Sequence, residues 1–342
     1  MTTTQAVQLK RHGAPEQLQI VNIPVPENLV PDEVRIKVAF CGVNFADILT
    51  RLGIYPGTPS PPFVPGLEIS GRVEAVGENV PDLTVGQPVA AFLNQGGYTS
   101  LVQVKADTVL PLPDGISLDT AAVLPINYLT AWYMLMSQAN IQPGETVLVH
   151  AAAGGVGLAA LQICRWRNVR VVGTASSAKH ERLYDSGITH CIDYRTQDFE
   201  SEVMKFTQGR GVDVVLDAVG SSSFKKSYRC LAPLGRLIVF GSSSFVTSSR
   251  RNLLSIFSGL LNTPRFNPLR MIGDSRVVGG FHLGRLGEQP EKLKEAWSSV
   301  CGLMDEGHLD PVIDTIYPLA KAADAHHLLQ SRQNYGKVLL QT

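Results

Sequence analysis

Several classes of protein are excluded by what this sequence does not contain. No uninterrupted apolar run reaches the ~20 residues that a membrane-spanning helix needs. Lysine plus arginine number 30, as do aspartate plus glutamate, so the formal charge is zero. That balance gives no reason to expect a nucleic acid or an anionic surface as partner. The five cysteines (Cys41, Cys164, Cys191, Cys230 and Cys301) are far apart, and no pair has the spacing of a zinc or redox motif. Buried or free thiols in a reducing compartment are expected. Met1-Thr2-Thr3-Thr4-Gln5 has neither the charged nor the apolar region of a signal peptide, which makes a cytoplasmic location the expectation. Internal repeats and low-complexity tracts are also lacking.

At 342 residues, 44% apolar and 18% charged, the chain has the composition of a globular protein and the length of two domains. Residues 1–124 are rich in proline, glycine and valine. Short strand-type runs recur there, such as Gln5–Leu9, Glu33–Phe40, Ile69–Val76 and Tyr98–Val104, separated by turn residues. This pattern suggests a twisted, barrel-like β domain. From about residue 125 strand-type and helix-type segments alternate. Val147–Val149, Arg170–Thr174, Cys191–Tyr194, Val212–Asp217, Arg236–Phe240 and Val277–Phe281 read as six strands of a doubly wound parallel sheet. After a helix near 289–306, Pro311–Tyr317 and Lys337–Leu340 read as strands returning to the first domain. The expected division is therefore 1–124 with 284–342 for the β domain, and 125–283 for the α/β domain.

The stretch His150-Ala151-Ala152-Ala153-Gly154-Gly155-Val156-Gly157 follows a strand and opens a helix. Ala152-x-Gly154-x-x-Gly157 fits the dinucleotide fingerprint with alanine in the first glycine slot. Small residues let the backbone approach a pyrophosphate, which the helix N-terminus then faces. In NAD-preferring sheets the second strand ends in an acid that holds the ribose 2′-hydroxyl. Here it ends Gly173-Thr174-Ala175-Ser176-Ser177, with Lys179, His180 and Arg182 following and Tyr194 and Arg195 after the next strand. Hydroxyls and cations suit a 2′-phosphate, so NADPH is the expected cofactor. Residues 242–272 interrupt the alternation. They run from Arg250-Arg251 into an apolar stretch that would cover the cleft, touch a membrane surface, or pack on its own domain.

Three strings narrow the kinship: Cys41-Gly42-Val43-Asn44-Phe45-Ala46-Asp47, Pro65-Gly66-Leu67-Glu68-Ile69-Ser70-Gly71 and Gly96-Gly97-Tyr98. With the glycine turn, they resemble the medium-chain dehydrogenase/reductase superfamily, in its zeta-crystallin-type quinone oxidoreductase branch. Gly173–Ser176, Ile192–Tyr194 and Gly279-Gly280-Phe281-His282-Leu283-Gly284 look nearest to vesicle-amine-transport-protein-like members.

The resemblance implies a GroES-like catalytic domain, a six-stranded Rossmann domain, NADPH in the cleft and a homodimer. Zinc-dependent members of the superfamily carry metal ligands around the positions of Asn44 and Leu67, so a metal-free enzyme is expected. The implied acceptors are quinones and α,β-unsaturated carbonyls, or enoyl thioesters as in polyketide synthases. A low-turnover NADPH-binding protein is the reading of a different class. Asn44, Asp47 and Tyr55 are the catalytic candidates, although Asn44 and Asp47 also suit a helix cap and Tyr55 an aromatic plug at a turn. The cofactor candidates are Asn44, Thr130, Ala153, Gly154, Gly155, Val156, Gly157, Thr174, Ser176, Lys179, Tyr194, Gly220, Gly241, Ser242, Phe281, His282, Leu283 and Asn334. His326 and His327 read as surface or packing residues.

Overall fold

The computed structural model describes residues 3–246, 257, 259 and 261–342. In chain order its strands begin with β1 (Thr3–Leu9), β2 (Leu18–Pro24), β3 (Glu33–Val43), β4 (Glu68–Val76), β5 (Pro88–Phe92), β6 (Leu101–Lys105) and β7 (Val109–Pro111). Then come β8 (Thr146–Val149), β9 (Arg170–Ala175), β10 (His190–Asp193), β11 (Val212–Asp217), β12 (Leu231–Val239) and β13 (Val277–Gly280). The chain closes with β14 (Ile313–Pro318) and β15 (Lys337–Gln341).

The last two strands do return to the β-rich lobe. Its seven-stranded sheet runs β14-β15-β3-β4-β5-β7, with β6 also paired to β3. Along β3 the side chains of Val34, Ile36 and Val38 are buried on one face, the period-2 pattern of a half-solvated strand. β2, β5 and β7 have no counterpart among the expected strands. The strand expected from Tyr98 starts at Leu101, because the Tyr98 amide bonds the carbonyl of Pro65 in a turn instead.

The second sheet is parallel and six-stranded, in the order β10-β9-β8-β11-β12-β13. β8 and β11 are buried along their whole length, as central strands covered on both faces must be. The strand order reverses between β8 and β11, which makes their carboxyl ends the topological switch point. The expected insertion at 242–272 falls partly on 247–256, 258 and 260, which lie outside the described residues. Among its described parts are a short helical turn, Ser243–Phe245, and the helix Pro268–Asp274, capped by Asn267. No helix among the described residues is long and apolar enough to cross a membrane.

The helix Gly155–Trp166 follows the glycine turn and buries Leu158, Ala159, Leu161 and Ile163 against the sheet. Its approach is close: a Cβ on Gly157 would lie 2.6 Å from the carbonyl oxygens of Ala151 and Ala152. Replacing Gly157 by alanine gains about 1 kcal/mol of helix propensity but overpacks rigid backbone at about 1–3 kcal/mol. The clash is with backbone and cannot relax by rotamer change, so Gly157→Ala is expected to lower the melting temperature. A rise in a calorimetric scan would contradict this packing.

Candidate active site

The turns that follow the parallel strands meet at one end of the sheet. Gly154 occupies the cap position of the helix Gly155–Trp166 in extended conformation and, as glycine, offers no side chain to cap it. Its N-terminus therefore faces the cleft with main-chain donors and the positive end of its dipole. Asn127 stands against Gly155, where a Cβ would overlap its side-chain nitrogen. Asn127 Nδ2 is buried and has no protein partner among the described residues. A tight glycine cradle beside an unsatisfied donor fits an anionic dinucleotide. Asn127 and Thr130 lie in or beside a π-helical turn at Leu124–Tyr128, a distortion frequent at functional sites.

Beyond β11 and β12, Gly220 and Gly241 allow two turns to touch. Gly220 has φ +86°, and a Cβ on Gly241 would sit 2.8 Å from the Ala218 carbonyl oxygen. The amide of Ser243 donates to that carbonyl at 3.0 Å. A cavity of about 520 Å³ opens beside them, lined by Phe240, Gly241, Gly280, Phe281, His282 and Arg285 among others. The Phe281 ring stacks on Tyr133, and Leu283 is buried in the core.

Lys179 donates to the carbonyl oxygens of Arg332 at 2.8 Å and Asn334 at 2.5 Å. Burial pulls its ammonium below the usual lysine range; Asp314 opposes this, and Arg195 and Arg182 add to it. Three cations thus gather after β9 and β10. The Tyr194 side chain there is exposed. Asn334 is turned inward, donating to the Gly336 carbonyl at 2.8 Å.

Thr174 also points inward. Its hydroxyl accepts the Ala151 amide at 3.3 Å and meets His150 Nδ1 at 3.1 Å, while His150 Nε2 meets Ser227 Oγ at 3.0 Å. Ser227 and Ser223 both donate to Asp217 Oδ2 at 2.7 Å. Because Ser227 spends its proton on the carboxylate, it must accept from His150 Nε2–H, and Nδ1 must accept from Thr174. Burial pushes the His150 imidazole down, against the pull of Asp217, so this neutral tautomer is the stable one. The network ties the ends of β8, β9 and β11 beneath the glycine turn.

On the β-rich side, Asn44 caps the helix Phe45–Arg51, and the Asp47 carboxylate reaches back to accept the Asn44 amide at 2.8 Å. The capping role is therefore real. The Asn44 side chain does something else. Its Nδ2 donates to Glu68 Oε1 at 2.8 Å, and its Oδ1 accepts from Lys337 Nζ at 2.6 Å. Lys337 also pairs with Glu68 Oε1, and Glu68 Oε2 accepts the Ile126 amide at 2.8 Å. The side chains of Lys337 and Glu68 are 2% and 0% exposed. Burial pushes the Glu68 carboxyl up, while Lys337 and the hydrogen bonds pull it back. Removing one partner of such a buried pair typically costs about 3–5 kcal/mol.

Tyr55 and His282 face each other from opposite sides of the cleft, with Tyr55 Oη 2.7 Å from His282 Nε2. Burial first, then Asp47, raises the Tyr55 phenol to about 12. Burial first, then Arg285, pulls His282 below the usual histidine range. Of the two surface or packing histidines, His326 is buried and bonds Tyr98 Oη at 3.1 Å, whereas His327 pairs with Glu16. All five cysteines are free and buried.

With this geometry, sequence comparison assigns the class. An alcohol dehydrogenase GroES-like domain description matches residues 30–114, and a zinc-binding dehydrogenase description matches residues 186–340. The Escherichia coli quinone oxidoreductase solved in complex with NADPH is 31% identical, with a TM-score of 0.88, 99% of this chain and all of that chain aligned. The CurK enoyl reductase has a TM-score of 0.85 at 30% identity, over 99% of each chain. The fold and its switch-point cleft define a medium-chain dehydrogenase/reductase. Within that superfamily, the synaptic vesicle membrane protein VAT-1 homolog of Danio rerio is 40% identical over 341 residues, 99% of this chain and 70% of the relative. The chain belongs to the family of VAT-1 homologues.

Asp47 gives a test of the site's electrostatics. It is fully buried, and burial raises its carboxyl to about 7, against the pull of the Asn44 amide and of Lys337 and with the push of Glu68. The folded state then binds this proton more tightly than the unfolded chain, whose aspartates titrate near ~3.9. The resulting stability is fully present below that value and is lost as the pH rises through about 7. Asp47→Asn is expected to flatten the fall in melting temperature between about pH 4 and pH 7. An unchanged pH profile would contradict the burial of an ionisable group there.

Proposed function

We propose that this chain is an NADPH-dependent, metal-free reductase that adds hydride to quinones or α,β-unsaturated carbonyls. The observation that carries the reading is the Tyr55–His282 pair at 2.7 Å, set against the cavity at the carboxyl ends of β12 and β13. It supports a neutral proton donor on the path by which a polar acceptor would enter the cleft.

The donor set does not suit a zinc ion. Asn44 offers an amide and Leu67 a hydrocarbon at the superfamily's ligand positions, and an ammonium already contacts the Asn44 and Glu68 oxygens. No cluster of three or more His, Cys, Asp or Glu residues is arranged for a metal among the described residues.

The cofactor side is supported by the cradle at 153–157, the free donor of Asn127, and the Lys179, Arg182 and Arg195 cations, which suit a 2′-phosphate. Bound NADPH supplies a hydride at this cleft. The chain's own part is to position the acceptor and supply a proton. Tyr55 keeps its proton across the physiological range, since its phenol sits at about 12. His282 Nε2 lies within hydrogen-bond distance of the Tyr55 hydroxyl and so holds that oxygen in place. A phenol held in this way protonates the carbon of an enolate, a step that bulk water performs poorly in a closed site. A hydroquinone oxygen is protonated by water readily.

A second reading, an enoyl-thioester reductase, draws support from the likeness to the CurK enoyl reductase. The same Tyr55 chemistry would serve it. Quinones, 2-alkenals and enoyl thioesters tested side by side decide between the two. With 2-alkenals or enoyl thioesters, Tyr55→Phe is expected to lower kcat by about 10²–10⁴-fold; with quinones the loss is much smaller. Equal losses on all acceptors would contradict the proton-donor role. Tight NADPH binding without turnover on any acceptor would favour a binding protein instead.

A further inference from the structure

We propose that Lys337 is the resident cation of this cleft, standing where zinc-dependent members of the superfamily hold their metal, and that it positions Asn44 for the nicotinamide half of the cofactor. The inference rests on the dinucleotide-binding reading above and extends it to a residue outside the usual fingerprint.

Register brings the three groups together. β15 pairs antiparallel with β3, with Val338 opposite Val43. Lys337 and Asn44 are the next residues out along the same two strands. On the other side of β3, Cys41 lies opposite Ile69 of β4, so Glu68 falls beside Gly42. A Cβ on Gly42 would overlap the Glu68 carboxylate, so only glycine leaves space for that side chain. The three central strands of the sheet thus deliver an amide, a carboxylate and an ammonium to one point.

That point adjoins the dinucleotide turn. Gly336, the residue before Lys337, donates its amide to the Ala153 carbonyl at 2.9 Å and bridges to Gly154. Glu68 reaches the same region through the Ile126 amide, one residue before Asn127. Lys337 therefore sits between the cradle and Asn44.

The chemistry of the partners fixes the Asn44 amide. An ammonium only donates, and an ionised carboxylate only accepts. Oδ1 must then face Lys337 and Nδ2 must face Glu68, with no freedom to flip. Nδ2 carries two hydrogens. One goes to Glu68 at 2.8 Å, while the only other protein acceptor among the described residues is the Gly42 carbonyl, at 3.4 Å. A weakly used donor, held in one orientation beside the glycine turn, is suited to a ribose hydroxyl or carboxamide oxygen of the cofactor. Lys337 does not have to touch the cofactor for this. It is a positioning residue, and its charge also opposes the burial that pushes the Glu68 carboxyl up.

Two ligands separate this role from general stabilisation: NADPH, and 2′-phosphoadenosine 5′-diphosphate, which lacks both the nicotinamide ring and its ribose. Affinities are measured by fluorescence titration on the native full chain and on Lys337→Met. NADPH affinity is expected to fall about tenfold or more, with that of the truncated analogue within about twofold. Equal losses for both ligands, or none for either, would overturn the proposal. If Lys337→Met does not fold, Lys337→Met/Glu68→Gln removes the uncompensated carboxylate. Folding should then recover while discrimination stays lost, and recovery of both would overturn the proposal. Native protein that binds neither ligand would sink the dinucleotide reading itself. Metal analysis after incubation with zinc and desalting should find the native chain without stoichiometric zinc; one zinc per chain would contradict the cation's place.

Discussion

The structure depends on how the last strand is anchored. β15 enters the β-rich sheet beside β3, and its first residues make two commitments at once. Gly336 bonds the glycine turn of the parallel sheet, and Lys337 forms a buried ion pair with Glu68. A buried charge without its partner is far costlier than the pair. The two lobes are therefore held in one relation at the point where the cleft forms. The other features of the site, Asn44, Asp47 and the Ile126–Thr130 segment, hang on that junction.

The cleft combines three kinds of constraint. Close backbone packing at Gly155 and Gly157 shapes a cradle that side chains would fill. Beneath it, the His150–Thr174–Ser227–Asp217 network locks strand ends with every donor matched to an acceptor. Across it, Tyr55 and His282 meet from different lobes. The cradle, the buried network and the Tyr55–His282 pair are thus separate groups, so that each can be altered without removing the others.

Much of this was legible in the sequence, for identifiable reasons. The central parallel strands announced themselves because strands buried on both faces are apolar runs, as in Thr146–Val149. The glycine turn was legible because steric need for small residues is local. β5 and β7 were not, since Pro88–Phe92 and Val109–Pro111 are short and open or close on proline. The capping of Asn44 by Asp47 could be read from spacing. The partners of the Asn44 side chain could not, because Glu68 and Lys337 lie 24 and 293 residues away. One signal existed: each opens an apolar strand, Glu68 before Ile69 and Lys337 before Val338, where a charge must find a counter-charge. The contact of the Thr174 hydroxyl with His150 was not legible either, because it joins the ends of two different strands.

The central claim is that this cleft transfers hydride without a metal. Chelator-treated protein, NADPH deuterated at the transferring position of the nicotinamide, and a 2-alkenal put it to the most direct test. Mass spectrometry should find one deuterium on the carbon β to the product carbonyl, at a rate unaffected by chelation. Absence of transferred deuterium, or transfer that is lost on chelation and restored by zinc, would contradict the account.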